Sequence, residues 1–143
     1  MSLVIDCHGH YTTAPKALED WRNRQIAGIQ DPANMPHASE LKISDDDLCQ
    51  SIESNQLRLM KERGGDITLF SPRASFMAHH IGDFAVSSTW AAICNELCFR
   101  VSTLFPEHFV PVAMLPQSPG VDPATCIPEL EKCVKEYGAV GIN

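Results

Sequence analysis

The 143-residue chain lacks features that would assign it to several common classes of protein. Its 11 lysines and arginines are outnumbered by 18 acidic residues, whereas a nucleic-acid-binding surface needs clustered cations. No apolar stretch is long enough to span a bilayer. The first residues also lack the basic and apolar regions of a signal peptide. We therefore expect a cytoplasmic protein without nucleic-acid or membrane partners.

Two signatures of catalytic α/β proteins are missing as well. No G-x-G-x-x-G turn, which binds phosphates in open nucleotide-binding sheets, follows the first apolar run. Neither a nucleophile elbow nor a Ser-His-Asp order occurs. Six cysteines are present, but four of them fall in helical apolar patterns and no export signal precedes them. We therefore predict reduced thiols rather than a disulfide framework.

Apolar runs alternate with amphipathic segments along the chain. We predict buried strands at 3–5, 67–70 and 109–115, and the start of a fourth strand at 139–143. Apolar residues three or four apart predict helices at about 44–63, 90–105 and 122–137. The polar stretch at about 11–43 has only a weak helical pattern near 15–27. We interpret it as an insertion that follows the first strand.

Apolar strands separated by helices indicate a parallel sheet that is buried on both faces. An open doubly wound sheet and a barrel both fit this order, and the missing glycine-rich turn favours the barrel. A complete barrel takes about 250 residues. A chain that stops at the start of a strand also leaves an unpaired edge. We therefore expect residues 1–143 to form the first half of a (β/α)8 TIM-type barrel of the metal-dependent hydrolase kind, within one domain.

Polar residues stand at the carboxyl end of each predicted strand, where parallel α/β folds bind their ligands. His8 and His10 are two apart on an extended backbone, so their side chains point the same way and can share one metal ion. Imidazole nitrogens favour Zn²⁺, with Fe²⁺ or Mn²⁺ as weaker choices. Asp6 lies on the same face and is expected to orient a ligand. The alternative is a histidine pair without a metal, because H-x-H alone is a weak motif.

Two further residues on this rim are predicted to bind substrate. Arg73 follows the second strand, and its guanidinium suits a carboxylate that accepts two parallel hydrogen bonds. A structural ion pair with Asp6 or Asp83 is the alternative role for Arg73. His79 lies in the loop after the same strand and is predicted to contact the substrate, the alternative being a mobile loop residue. No residue reveals itself as the general acid or base, so the catalytic residues are unknown at this stage.

Four segments carry a resemblance to a known family. They begin with the run from His8 to Leu18 and continue with Ser71-Pro-Arg-Ala-Ser-Phe-Met-Ala-His-His-Ile-Gly82, Trp90 to Cys98, and Met114 to Gly120. H-x-H at the end of a first strand is general to the amidohydrolase superfamily. The run from Ser71 to Gly82 is more specific and resembles the 4-oxalomesaconate hydratase family.

The resemblance implies a (β/α)8 barrel with a divalent metal, most often zinc, and His8 and His10 as its first two ligands. It also implies hydration of a small-molecule tricarboxylate, 4-oxalomesaconate, to 4-carboxy-4-hydroxy-2-oxoadipate in protocatechuate 4,5-cleavage, a route of aromatic catabolism. The family's other ligands, a histidine from a middle strand and a late acid, have no counterpart within residues 1–143. A homo-oligomer is compatible with the family.

Two alternative functions stay open from the sequence. One is an amidohydrolase-type decarboxylase that acts on an unsaturated dicarboxylate, because such enzymes share H-x-H and anionic substrates. The other is an inactive, truncated metal-binding fragment, because only two of the expected metal ligands are present.

Overall fold

The computed structural model describes residues 2–73 and 77–143 of the chain. Three parallel strands form one sheet in the order β1 (Ile5–His10), β2 (Ile67–Ser71) and β3 (Phe109–Pro111). Residues 74–76, which fall inside the family motif noted above, lie outside the described residues. The parallel sheet with helical crossovers confirms the predicted fold class at this level.

Strand β1 differs from its prediction in both its boundaries and its burial. It continues to His10, so both histidines lie within the strand and not after it. Leu3, Val4 and Ile5 are at least half exposed. The prediction of a buried strand at 3–5 was therefore wrong, because β1 is an edge strand that pairs only with β2 in the described part of the chain.

The predicted insertion at about 11–43 is folded and packs on the helical layer of the sheet. It contains α1 (Lys16–Gly28) and two short 3-10 turns, Pro32–Asn34 and Ala38–Glu40. Trp21 on α1 stacks parallel to Trp90, with ring centroids 6.2 Å apart. Trp21 also donates a 3.0 Å hydrogen bond from Nε1 to the carbonyl of His37. These contacts anchor the insertion to the rest of the chain.

The helix predicted at 44–63 is present, but it changes its winding in the middle. It begins as α2 (Asp45–Ser51), passes through a π-helical segment (Ile52–Leu57) and ends as α3 (Arg58–Glu62). Ser44 caps its start, because its Oγ accepts a 3.1 Å hydrogen bond from the Asp47 amide. A π-helical segment inside an α-helix often marks a functional region.

Helix α4 (Phe84–Leu104) is the longest element and covers the sheet. It starts six residues earlier than its apolar pattern indicated, because the Asp83 side chain accepts a 3.0 Å hydrogen bond from the Val86 amide. The core under it contains Phe70, Phe109 and the buried thiols of Cys94 and Cys98. All six cysteines are free, as predicted, and Cys7 on β1 is exposed.

The chain ends beside β3. Only Phe109–Pro111 forms a regular strand, and the predicted fourth strand is reduced to one parallel bridge between Ala113 and Ile142. Before it lie a 3-10 turn (Pro123–Cys126) and helix α5 (Ile127–Lys135). The Asn95 amide pairs with both backbone groups of Met114, at 2.9 and 2.8 Å. Among the residues described, no helix is both long and apolar enough to cross a membrane.

Candidate metal centre

A bulge in β1 shapes the region around the two histidines. The register between β1 and β2 shifts between Asp6 and Gly9, so Cys7 and His8 leave the regular pairing. Gly9 then lies so close to β2 that an added Cβ would be 2.0 Å from Thr68 Cγ2 and 3.1 Å from the Leu69 carbonyl oxygen. Only glycine fits there without displacing β2. The close approach brings His10 level with Ser71 at the end of β2.

The side chains of His8 and His10 converge as the spacing predicted. Their Nε2 atoms are 3.0 Å apart, and the rings meet edge to face with centroids 4.6 Å apart. Two nitrogens bound to one tetrahedral zinc ion, each at about 2.0–2.1 Å, would be about 3.3 Å apart. The pair therefore fits two ligand positions of such an ion with only a small adjustment.

Hydrogen bonds on the opposite side of the His10 ring identify its tautomer. Nδ1 of His10 lies 2.7 Å from Ser71 Oγ and 3.0 Å from the Pro72 carbonyl oxygen. The Pro72 carbonyl can only accept, and the Ser71 hydroxyl already donates to the Gly9 carbonyl at 3.0 Å. Nδ1 therefore carries the proton. The Nε2 lone pair of His10 is left available for a metal, as in other metal-binding histidines.

The π-helical segment also holds His10, through the backbone carbonyl of that residue. Gln56 Nε2 donates a 2.8 Å hydrogen bond to the His10 carbonyl. Thr13 Oγ1 lies 2.9 Å from Gln56 Oε1 and 3.0 Å from the Ser51 carbonyl. The altered winding thus lets one helix hold the backbone just beyond the histidine pair. Sequence reasoning missed Gln56, because a π-helical segment has no sequence signal in a helix of ordinary composition.

Ser71 and Asn143 complete the polar cluster. Asn143 Nδ2 donates a 3.0 Å hydrogen bond to Ser71 Oγ and lies 3.5 Å from His10 Nδ1. Ser71 was not assigned a role from the sequence. Its position as the last residue of a buried strand, in register with His10, was the available signal.

The described residues bring together two candidate metal ligands and not a complete set. No group of three or more His, Cys, Asp or Glu side chains suited to a metal occurs within 2–73 and 77–143. Asp6, expected to orient a ligand, accepts a 3.0 Å hydrogen bond from the His8 backbone amide instead of a ring nitrogen. It therefore shapes the bulge and does not touch either imidazole ring through a recorded hydrogen bond.

His8 and His10 line a cleft of about 490 Å³, and a separate small cavity of about 50 Å³ adjoins that cleft at Thr12. Thr12 and Arg73 line the small cavity near the histidines, and Trp90 and Cys94 line it on the α4 side. The exposed Arg73 side chain is thus on the predicted rim. Asp83, one of its proposed structural partners, caps α4 through its carboxylate, and Asp6 binds the His8 amide.

Two other histidines, His79 and His108, lie at opposite ends of the described sheet region. His79 is half-buried, and its Nδ1 atom is enclosed without a hydrogen-bond partner among the described residues. Burial lowers the pKa of His79, and the positive charge of Arg22 lowers it further. His108 lies at the opposite end of the sheet, where its Nδ1 is 3.1 Å from the Asp66 carbonyl.

Comparison with known proteins defines the class. Residues 5–143 match the amidohydrolase family, and the chain belongs to that family. It is 54% identical, over its full length, to the 2-keto-4-carboxy-3-hexenedioate hydratase of a Sphingobium species, and it covers 41% of that protein.

Solved structures agree with this membership. The 4-oxalomesaconate hydratase of Rhodopseudomonas palustris superposes with a TM-score of 0.93 at 74% identity, over 99% of this chain and 41% of that one. A dihydroxybenzoic acid decarboxylase of a Polaromonas species, solved with bound manganese, has a TM-score of 0.62 at 27% identity, over 99% of this chain and 38% of that one. The chain thus spans about two fifths of the length of these relatives.

Proposed function

We propose that the protein that carries this chain is a metal-dependent hydratase that adds water to 4-oxalomesaconate to give 4-carboxy-4-hydroxy-2-oxoadipate, a hydro-lyase step of protocatechuate 4,5-cleavage. The observation that carries the proposal is the 3.0 Å convergence of His8 and His10 Nε2 atoms at the carboxyl end of the sheet. The names of the relatives at 54% and 74% identity support the hydratase assignment.

The proposed metal is zinc, held by His8 and His10 together with ligands from the rest of a (β/α)8 barrel, of which this chain would form the first part. A divalent ion bound there would supply Lewis acidity for activating water and polarising the substrate's oxygens. The manganese in the Polaromonas decarboxylase makes metal identity part of the test.

The chain's own residues would orient the reactants. The Nδ1 hydrogen bonds of His10 to Ser71 and Pro72 hold its ring with Nε2 facing His8. Arg73, on the cavity rim, would bind one carboxylate of the tricarboxylate substrate by two parallel hydrogen bonds. Such a cation matters because the chain's net charge of −7 otherwise repels an anion.

We also propose a cytoplasmic location, which the six free thiols support.

The test uses protein expressed from its complete gene and loaded with one metal at a time. Substrate and product are separated by mass spectrometry, so that gain of one water distinguishes hydration from the loss of carbon dioxide expected of a decarboxylase. His8→Ala and His10→Ala are expected to lose bound metal and turnover together.

His108→Ala is the matched control, because His108 lies at the other end of the sheet and its ring contacts a backbone carbonyl. It is expected to keep both metal and activity. Carbon dioxide release by the wild-type protein, or full activity in His8→Ala, would refute the proposed function.

A further inference from the structure

Arg22 is the most buried cation of the described chain and lies outside the metal centre. It extends from α1 into the interior and is 2% exposed. Its guanidinium carbon lies 4.8 Å from the centroid of the Trp90 ring, and Nη1 donates a 2.5 Å hydrogen bond to Gln25 Oε1. Gln25 is itself held by a 3.2 Å hydrogen bond to the Val86 carbonyl.

This guanidinium has no counter-charge within residues 2–73 and 77–143. The ion pairs recorded there use Lys16, Arg24, Arg58, Arg100 and Lys135. The Nη2 atom of Arg22 is also buried without a hydrogen-bond partner in this described part of the chain. A buried charge without a counter-charge is strongly destabilising, and the Trp90 ring face offsets only part of that cost. The arrangement therefore indicates an anion that is supplied from elsewhere.

A second unpartnered nitrogen lies within the electrostatic reach of Arg22. Nδ1 of His79 is buried without a hydrogen-bond partner among the described residues, and the Arg22 charge acts on the His79 ring. A carboxylate has two oxygens and accepts hydrogen bonds from both nitrogen types. Two orphaned nitrogens in one neighbourhood match the needs of one such group.

The location also suits a substrate group. Trp90 carries Arg22 on its ring and lines the cavity that Arg73 and Thr12 also line, so Arg22 lies directly behind one wall of this cavity. Cys94, which lies in the field of Arg22, lines the same cavity. The volume of about 50 Å³ exceeds the space a single water needs, so a carboxylate can be accommodated.

We propose that Arg22 and His79 form a buried anion subsite that binds a carboxylate of the substrate remote from the metal. The inference rests on the proposed function for the identity of the substrate and adds to it a residue that binds without taking part in the reaction. Methionine has a similar length to arginine and no charge. The Arg22→Met variant should therefore fold and lose affinity for the tricarboxylate.

The experiment compares Arg22→Met, His79→Ala and Arg24→Met in metal-loaded protein from the complete gene. Arg24 is the matched control, because it lies on the same helix but is exposed and paired with Glu40 at 2.7 Å. Thermal unfolding, kcat and KM for 4-oxalomesaconate are measured. Binding of propane-1,2,3-tricarboxylate, an unreactive tricarboxylate, is measured by titration calorimetry.

Arg22→Met and His79→Ala should each weaken tricarboxylate binding and raise KM by about 10- to 100-fold, the effect of losing one charge-assisted hydrogen bond. kcat should change less than KM, because a remote group binds ground state and transition state alike. Ligand-free Arg22→Met should melt no lower than wild type. Arg24→Met should match the wild type in binding and in KM.

The subsite is refuted if Arg22→Met melts well below wild type while binding and KM are unchanged, since Arg22 would then pair with an acid of the protein. Should Arg22→Met fail to fold, His79→Ala decides, and unchanged binding in that variant overturns the inference. If wild type binds the tricarboxylate through these residues but does not hydrate 4-oxalomesaconate, the proposed function fails while the anion subsite is supported.

Discussion

Replacing Ser71 with alanine tests how much the hydroxyl behind His10 contributes to the metal centre. Ser71 Oγ lies 2.7 Å from His10 Nδ1, donates to the Gly9 carbonyl at 3.0 Å and accepts from Asn143 at 3.0 Å. The residue is only 3% exposed, so water cannot easily replace the lost hydroxyl. The variant removes one atom from the centre of this network and changes no proposed metal ligand.

The expected loss of zinc affinity follows from the hydrogen bonds that His10 keeps in the Ser71→Ala variant. His10 Nδ1 keeps the Pro72 carbonyl at 3.0 Å, so the tautomer survives and only one of two orienting partners is lost. Loss of a hydrogen-bond partner behind a metal-binding histidine typically lowers metal affinity 10- to 100-fold, and we expect about 10-fold here. The unpaired Gly9 carbonyl and Asn143 amide should lower the free energy of unfolding by about 1–3 kcal/mol.

The assay is competition for Zn²⁺ against a chromophoric chelator, at constant pH, in protein from the complete gene. Ser118→Ala is the matched control, because the Ser118 hydroxyl is buried without a hydrogen-bond partner in the described part of the chain. It should leave zinc affinity unchanged. Equal zinc affinity in Ser71→Ala and wild type would refute the role assigned to Ser71, as would an equal loss in both variants.

Three further predictions concern the scaffold. Gly9→Ala should lower the free energy of unfolding by about 1–3 kcal/mol by overpacking, because its Cβ would be 2.0 Å from Thr68 Cγ2, and equal urea midpoints for variant and wild type would contradict this. Asn95→Leu should lower the free energy of unfolding by about 2 kcal/mol, because it leaves both backbone groups of Met114 unpaired. Denaturant unfolding measures this loss beside Asn34→Leu, a control at an exposed position, and equal losses in the two variants would contradict the prediction. Burial raises the pKa of the Tyr11 phenol to about 12, so the native state keeps a proton that the unfolded chain loses near pH 10. Stability should therefore fall as pH rises from about 10 to 12, more steeply than in Tyr11→Phe, and parallel pH profiles of the two proteins would exclude this contribution.

Local patterns in the sequence were enough to identify most of the elements and the histidine pair that converges. The spacing of His8 and His10 predicts convergence on one side of a strand, since side chains alternate along extended backbone, and their Nε2 atoms do converge. Apolar periodicity likewise located α4 and β2, although the Asp83 cap moved the start of α4 to Phe84. The roles of Arg73 and His79 in substrate binding stay predictions.

The tertiary structure decided which polar residues have partners. Nothing local distinguishes Arg22 from Arg24, two residues apart on one helix, yet one is buried on Trp90 and the other is paired with Glu40 at the surface. Ser71 and Gln56 likewise acquire their roles only because the β1 bulge and the π-helical segment bring His10 to them. Periodicity reports which face of an element is apolar, whereas burial of a charge depends on distant segments meeting around it. That difference is why the sequence alone determined most of the elements and the histidine pair. Only the folded chain determined that Arg22 is buried without a counter-charge among the described residues.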